Sequence, residues 1–485
     1  MVHLLPFFPS SSDGGYAFID YKEVDPKLGT WEDVRKLAKE YRLMVDLVMN
    51  HVSSQSKWFQ GFLQGDKRYR DYFIWRGSRI EMPKLFRPRA SPLFTAFETY
   101  MGKKLVWTTF GEDQVDLNYR SPQVLLRVID VLLAYLSQGV EIIRLDAVGY
   151  EWKEVNTSCV NLSKTQQIVR LLRSLLKYVA PYVVLVTEAN FAYEENVAYF
   201  GEEHEANMVY KFSLPPLVLD AFARKDTSHI LREKKRLRRD LLFLNFLASH
   251  DGIGLPSARE ILPQEAFENL RRITVEHGGL VSYKSTDGDE SPYELNISYF
   301  DAINEPQEET DPLLVGRFLA SQAIMLALKG IPGIYVHSLL GSRNYGKGVR
   351  ETGIKRMINR EPLHPESLFA SLSDPGSVRH QVWEGYLHML RVRGRERSFH
   401  PWGAREVVEL DQRLFAIERR FEGEELFVLI NVSEDTIRLP SHCRRFDPLE
   451  GKRFEGEVGA VWGAFPERYG VKGKGKKGLL LRCWS

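Results

Sequence analysis

The chain has 485 residues, enough to bury a large core and to carry more than one domain. Its 66 basic and 64 acidic side chains leave a formal net charge of +2, so no global field directs it to nucleic acid or to a membrane surface, and its partners must be read from local sites. The hydrophobic content is 44% with no apolar run long enough to span a bilayer, and Cys159, Cys443 and Cys483 lack the spacing of a disulfide framework or a zinc site; the expected setting is the reducing cytoplasm.

Met1-Val2-His3-Leu4-Leu5-Pro6-Phe7-Phe8 reads as a buried strand running straight into a loop, without the basic region and apolar stretch of a secretory signal. Strand-like segments then recur at HLLPF, RLMVDLVMN, VEIIRLD, YVVLVTE, ANMVYKF, LLFLNFLASH and GIPGIYVH. Helix-period runs lie between several of them, from Thr30 to Tyr41, from Pro122 to Ser137 and from Lys164 to Val179. Strands alternating with helices make a parallel sheet with crossover connections. The expected class is α/β, a (β/α)8 TIM barrel with the first β/α unit missing from this chain, since a closed barrel takes eight strands and the sequence offers seven. On this reading Met1 is an internal methionine of a longer protein.

Two long excursions leave the alternation at carboxyl ends of strands, and loops of that length are usually functional. The expected organisation is a catalytic barrel over 1–51, 122–251 and 313–397, an inserted domain B over 52–121 after barrel strand 3, and an inserted acceptor loop domain over 252–312 after barrel strand 7. From 398 to 485 the sequence alternates and breaks at turns as an antiparallel β-domain does, as in VVELDQRLFAIERRFEGEELFVLINVSEDTIRLP.

Three of the strand-like segments end in carboxylates: Asp146, Glu188 and Asp251. A parallel barrel gathers the carboxyl ends of its strands around one pit, so the three are candidates for one pocket. Arg144 stands two positions before Asp146, on the same side of an extended strand, where it can hold the carboxylate ionised and aimed. Asp13 follows the first strand, Asn50 and His51 end the second, and His250 leaves its strand beside Asp251, a donor and acceptor suited to adjacent sugar hydroxyls. Paired carboxylates flanking a glycosidic bond are what retaining glycosyl transfer requires. Taken singly, each carboxylate reads as a helix cap or surface group, and His51 as a core histidine.

The set DGGY, MNHVS, IIRLDAVGY, TEAN and ASHDG, in this order and at strand ends, resembles the α-amylase superfamily of glycoside hydrolases and transglucosidases. RLDAVGYEWKEVNTSC, FRPRASPLFTAF, LVWTTFGEDQVDLN and HDGIG narrow the resemblance to its sucrose phosphorylase subfamily, over essentially the whole chain. The resemblance implies Asp146 as nucleophile, Glu188 as general acid/base and Asp251 as the carboxylate that steadies an oxocarbenium-like transition state. It implies Asp13, His51, Arg144, His250 and Arg356 as the grip on the glucosyl unit, with Tyr16 and Phe110 as aromatic neighbours; packing for the two rings, and an ion pair for Arg356, are the alternatives. Arg89 matches the subfamily's phosphate-binding arginine and Tyr293 a tyrosine that shares the task. Arg87 beside them is a phosphate ligand or a surface charge.

Sucrose phosphorylases typically show an Asp-Leu-Tyr-Gln segment where this chain has Ser291-Pro292-Tyr293-Glu294, and the SPYELN form resembles glucosylglycerate phosphorylases of the same subfamily. Glu294 would then accept from an acceptor hydroxyl. The implied reaction is retaining phosphorolysis of 2-O-α-glucosylglycerate, with inorganic phosphate as co-substrate, no cofactor and no metal. The alternatives are a sucrose phosphorylase, an α-glucoside hydrolase, or a truncated inactive barrel whose open edge would expose unpaired backbone. Expected partners are small molecules, the glucoside and phosphate, without nucleic acid or membrane.

Overall fold

The structure is a computed structural model that describes residues 1–78, 82, 84–88, 91–200, 205–236, 241–286, 289–305, 311–438, 457–458 and 477–480. The chain divides into two compact units, Met1–Tyr210 with Tyr283–Ser291, and Lys211–Ser282 with Pro292–Ser485.

The first unit is built on parallel strands, Val2–Leu4, Leu43–Val48, Ile142–Asp146, Val184–Thr187 and Met208–Tyr210, hydrogen-bonded in that order. Register is continuous along the row: Leu4 lies opposite Val45, Asp46 opposite Arg144, Val48 opposite Asp146 and Leu145 opposite Thr187. Every residue of Leu43–Val48 and of Ile142–Asp146 is buried, as expected of parallel strands covered on both faces, which read as apolar runs rather than as alternation. The charged exceptions within those runs, Asp46, Arg144 and Asp146, are therefore the residues that need a physical account.

Helices carry the chain back between these strands. Trp31–Glu40 begins at a capping box, in which Thr30 and Asp33 satisfy each other's backbone groups. Pro122–Ser137 opens on a proline whose missing N–H costs nothing at a first-turn position. Ser163–Val179 is amphipathic and buries Ile168, Val169, Leu172 and Leu176. The segment 52–121 holds the helix Lys57–Leu63 and an antiparallel sheet of Trp75–Arg76, Gly102–Trp107 and Phe94–Thr99; His51–Ser53 pairs with Gln114–Asp116 and ties this insertion to the end of the second strand.

In the second unit, Phe243–Phe246 pairs in parallel with Ile331–Gly333. Helices Leu214–Arg224, Leu314–Ala327 and Val378–Arg395 contribute to one apolar core with the C-terminal strands, in which Phe318, Val382, Tyr386, Phe415 and Val428 are all at 0% exposure. Ala404–Val407, Leu414–Phe421 and Glu424–Asn431 form an antiparallel meander, and Lys477–Leu480 joins its edge in parallel. Between Phe246 and the strand at Ile331, the chain runs through Ile253–Gly254, helix Gln264–Glu276, and the strands Leu280–Thr286 and Asp289–Asn296, of which Tyr283–Ser291 belongs to the first unit.

Leu145 faces the interior directly before Asp146 and is at 0% exposure. Leu145→Ala is expected to cost about 2–5 kcal/mol through lost burial and the cavity left behind. The measurement is the urea midpoint of unfolding, which should fall; an unchanged midpoint would contradict the packing described.

Candidate active site

In the first unit the site is organised by Arg144. Its guanidinium is at 3% side-chain exposure, touches the carboxylate of Asp46 across the strand pair, bonds Asp146 Oδ1 at 2.8 Å and stands 3.8 Å from Glu188 Oε2. The rings of Tyr210 and Tyr16 flank it at 5.3 and 5.9 Å. Burial opposes its charge, but Asp46 and the groups around it outweigh that and hold its pKa above the ordinary arginine value. Sequence alone does not single out Asp46, whose one signal is an aspartate in the middle of a strand with no other charge, MVDLV.

Asp146 is the last residue of its strand and Glu188 the first residue beyond Val184–Thr187. Burial pushes the Asp146 carboxyl up to about 8, with Arg144 opposing and Glu188 and Asp46 adding to the rise. The contact of Arg144 with Asp146, at 2.8 Å, is shorter than its approach to Glu188, at 3.8 Å. Ala147 takes a left-handed conformation at φ 50°, and this turn aims its N–H at Glu188 Oε2, 2.9 Å away.

His51 is at 2% exposure, with Nε2 3.0 Å from the Tyr16 carbonyl and Nδ1 3.2 Å from the Asn50 amide nitrogen. Gln114, from the inserted segment, places its amide nitrogen 3.1 Å from Asp13 Oδ2 and 3.0 Å from His51 Nε2. Sequence alone does not single out Gln114 either, because a glutamine in a loop carries no chemistry until the strand Gln114–Asp116 is known to pair with His51–Ser53. Asp13, Gly14 and Gly15 have φ of 54°, 62° and 111°, a turn that requires glycine and explains DGGY. Phe110 sets its ring 5.4 Å from His51 and 5.1 Å from Tyr150. Tyr16 is buried at 5% exposure. Arg87 is described and half-buried, and burial lowers its pKa. Arg89 lies outside the described residues.

Lys153 braces this half of the site. Its ammonium, at 4% exposure, reaches Asp116 Oδ2 at 2.7 Å, the Asn50 side chain at 2.5 Å and the carbonyl of Tyr150. One cation thus joins the residue before His51, the returning strand of the insertion and the turn after Asp146.

In the second unit, Asp251 stands beyond the end of its strand, which stops at Phe246, so LLFLNFLASH is strand only in part. The loop is pinned through its backbone: Asn359 Nδ2 donates to the carbonyls of Ser249 and Asp251 at 3.1 and 2.8 Å, and Arg360 Nε to that of His250 at 2.6 Å. His250 Nε2 is 3.6 Å from Asp251 Oδ2. Arg356 contacts Asp251 and also binds both oxygens of Glu294, at 3.0 and 2.6 Å. Tyr293 precedes Glu294 on the same strand, and its carbonyl accepts from Leu255 N at 3.0 Å.

The alpha-amylase catalytic domain model matches residues 1–251, more than half of the chain. The chain belongs to the alpha-amylase family. Its fold is the family's (β/α)8 barrel class. Among curated relatives, the glucosylglycerate phosphorylase of Spirochaeta thermophila is 51% identical over 92% of this chain and 77% of its own length. That of Escherichia coli is 42% identical over 90% and 79%. The crystal structure of sucrose 6F-phosphate phosphorylase from Thermoanaerobacter thermosaccharolyticum superposes with a TM-score of 0.77 at 27% identity, covering 89% of this chain and 87% of that one. Within the alpha-amylase family the chain is a glycoside phosphorylase, a glycosyltransferase by reaction type. Among the described residues no group of three or more histidine, cysteine, aspartate or glutamate side chains is placed to hold a metal ion, and no helix is long and apolar enough to cross a membrane.

Lys153→Met would leave the buried Asp116 carboxylate without its cation, a loss of about 3–5 kcal/mol by the usual cost of breaking a buried pair. Thermal unfolding at neutral pH should move down by many degrees, and a midpoint equal to that of the wild type would exclude the bracing role.

Proposed function

We propose that the chain transfers an α-glucosyl unit from 2-O-α-glucosylglycerate to inorganic phosphate, giving α-glucose 1-phosphate and glycerate, by double displacement through a glucosyl ester on Asp146. The relatives named glucosylglycerate phosphorylase, at 42–51% identity, support the substrate. The observation that supports the mechanism is the placement of Arg144, 2.8 Å from Asp146 and 3.8 Å from Glu188, which sets both carboxylates beside one buried cation.

In the first displacement an Asp146 oxygen attacks the anomeric carbon as its bond to the glycerate oxygen breaks, and Glu188 delivers its proton to that leaving oxygen. In the second, the Glu188 carboxylate takes a proton from the incoming phosphate, whose oxygen attacks the same carbon and releases Asp146 as a carboxylate. Two inversions leave the α configuration retained. Asp251 steadies the positive charge that develops on the sugar ring in both transition states. Asp13, His51, Arg144, His250 and Arg356 hold the glucosyl hydroxyls, and Tyr16 and Phe110 supply aromatic surface beside the ring.

Phosphate, rather than water, must win the second step, and fixed guanidinium donors suit a phosphate dianion. Arg87, Arg89 and Tyr293 take that role. The reaction needs no cofactor beyond phosphate itself, its partners are small molecules, and it takes place in the cytoplasm.

The direct test is release of α-glucose 1-phosphate from 2-O-α-glucosylglycerate and from sucrose, each with inorganic phosphate. Faster turnover of sucrose would replace the acceptor assignment, and free glucose as the main product would replace phosphorolysis with hydrolysis. Asp146→Ala should abolish all turnover to within the background of the assay.

A second test uses the pH profile. Glu188 adds to the upward shift of Asp146, so Glu188→Gln lowers the Asp146 pKa, and the nucleophile ionises at lower pH. With α-glucosyl fluoride, a donor whose leaving group needs no proton, the ascending limb of kcat/KM should move to lower pH in Glu188→Gln. A limb that stays in place or moves upward would contradict the influence of Glu188 on Asp146.

A further inference from the structure

Glu294 is where this chain departs from the Asp-Leu-Tyr-Gln segment of sucrose phosphorylases, and its surroundings differ from those of an acceptor-facing group. It is at 4% exposure, and both its oxygens accept from the fork of Arg356, Oε1 from Nε at 3.0 Å and Oε2 from Nη2 at 2.6 Å. A two-pronged, charge-assisted pair of this kind fixes the orientation of the guanidinium plane as well as its position. The remaining arm of that guanidinium, Nη1, contacts Asp251 Oδ1.

The backbone is shaped to permit this. Gly254 lies opposite Glu294 and Ile253 opposite Leu295 in an antiparallel pair. A Cβ at Gly252 would stand 2.5 Å from Glu294 Cγ, 2.9 Å from its Cδ and 2.7 Å from the Leu295 carbonyl. The glycine after Asp251 is thus the space through which the Glu294 side chain passes. Asp251 is held from its backbone by Asn359, and Arg360 stands 3.6 Å from its side chain. Glu294, Arg356 and Asp251 form a chain of contacts in which the first two control where the third points.

We infer that Glu294 is a positioning residue that acts through Arg356 on Asp251, rather than a contact for the acceptor. The inference rests on the reading that Asp251 and Arg356 serve the glucosyl unit. Glutamine at 294 would turn an amide N–H2 toward the donors of Arg356 and break one prong of the fork, loosening the arginine and with it Asp251. Such a defect belongs to glucosyl transfer itself and is indifferent to the acceptor.

The experiment compares Glu294→Gln, Glu294→Asp and Gly252→Ala with the wild-type enzyme in two assays. One is turnover of α-glucosyl fluoride with phosphate, where no glycerate is present; the other is synthesis from α-glucose 1-phosphate and glycerate. Glu294→Gln is expected to lower kcat on the fluoride by about tenfold or more, while the KM for glycerate stays within about twofold of wild type. Glu294→Asp, which keeps the charge, should recover part of the loss. Gly252→Ala should reproduce the glutamine pattern with Glu294 intact, because it displaces the same side chain. Combined with Arg356→Lys, Glu294→Gln should add less than its own single effect.

Wild-type kcat on the fluoride together with a raised KM for glycerate in Glu294→Gln would overturn the inference and return Glu294 to the acceptor side. If Glu294→Gln unfolds, Glu294→Asp and Gly252→Ala carry the comparison, and full activity of both on the fluoride is the overturning result. A wild-type enzyme that turns over the fluoride but makes no product with glycerate would refute the assigned acceptor, and the fluoride ratios would still decide the role of Glu294.

Discussion

A single guanidinium, that of Arg144, sits inside the parallel sheet with carboxylates around it, and the candidate site in the first unit is arranged around its charge. Burying ions is costly unless each is paired and hydrogen-bonded. The register that places Asp46 opposite Arg144 supplies a permanent counter-ion from the neighbouring strand. Arg144 can therefore bond Asp146 without depending on it for neutrality. This matters for the proposed mechanism, in which the charge of Asp146 is consumed when it forms an ester and Asp46 is left to balance the arginine.

The same economy of charge recurs around the site. Lys153 answers Asp116 and holds Asn50 beside His51. Arg356 answers Glu294 and Asp251. In each case a cation joins segments far apart in the chain, and the pairing both satisfies a buried carboxylate and fixes the groups around it. Such links are directional, and packing of apolar side chains alone would not provide that. Rigidity around the carboxylates is what electrostatic catalysis demands, since donors and charges already in place need not reorganise as the transition state forms.

The insertions show how a common barrel acquires a particular chemistry. His51–Ser53 leaves the second strand by pairing with Gln114–Asp116, so the long excursion between them is anchored at both ends. It returns Gln114 to Asp13 and His51, and Phe110 to the His51 ring. Changes in such an insertion can alter what is bound without disturbing the sheet beneath.

Much of this was legible in the residues. Seven largely apolar segments mark the seven parallel strands of the described residues, and helix period places Trp31–Glu40, Pro122–Ser137 and Ser163–Val179 within a residue or so. Helix Leu214–Arg224 was not legible by period, since Leu214 through Phe222 are all buried and no polar face marks the turn of the helix. Asp146 and Arg144 could be paired from their spacing, because side chains two apart on a strand share a face. By itself, then, the sequence determined the class of fold, the strand ends and the residue types that converge there. Only the tertiary structure decided that Asp46 neutralises Arg144, that Lys153 braces Asn50, and that Glu294 belongs to Arg356. Those pairings depend on cross-strand register and on the close approach allowed at Gly252, distances set by hydrogen bonding between segments remote in the chain, and no local pattern encodes them.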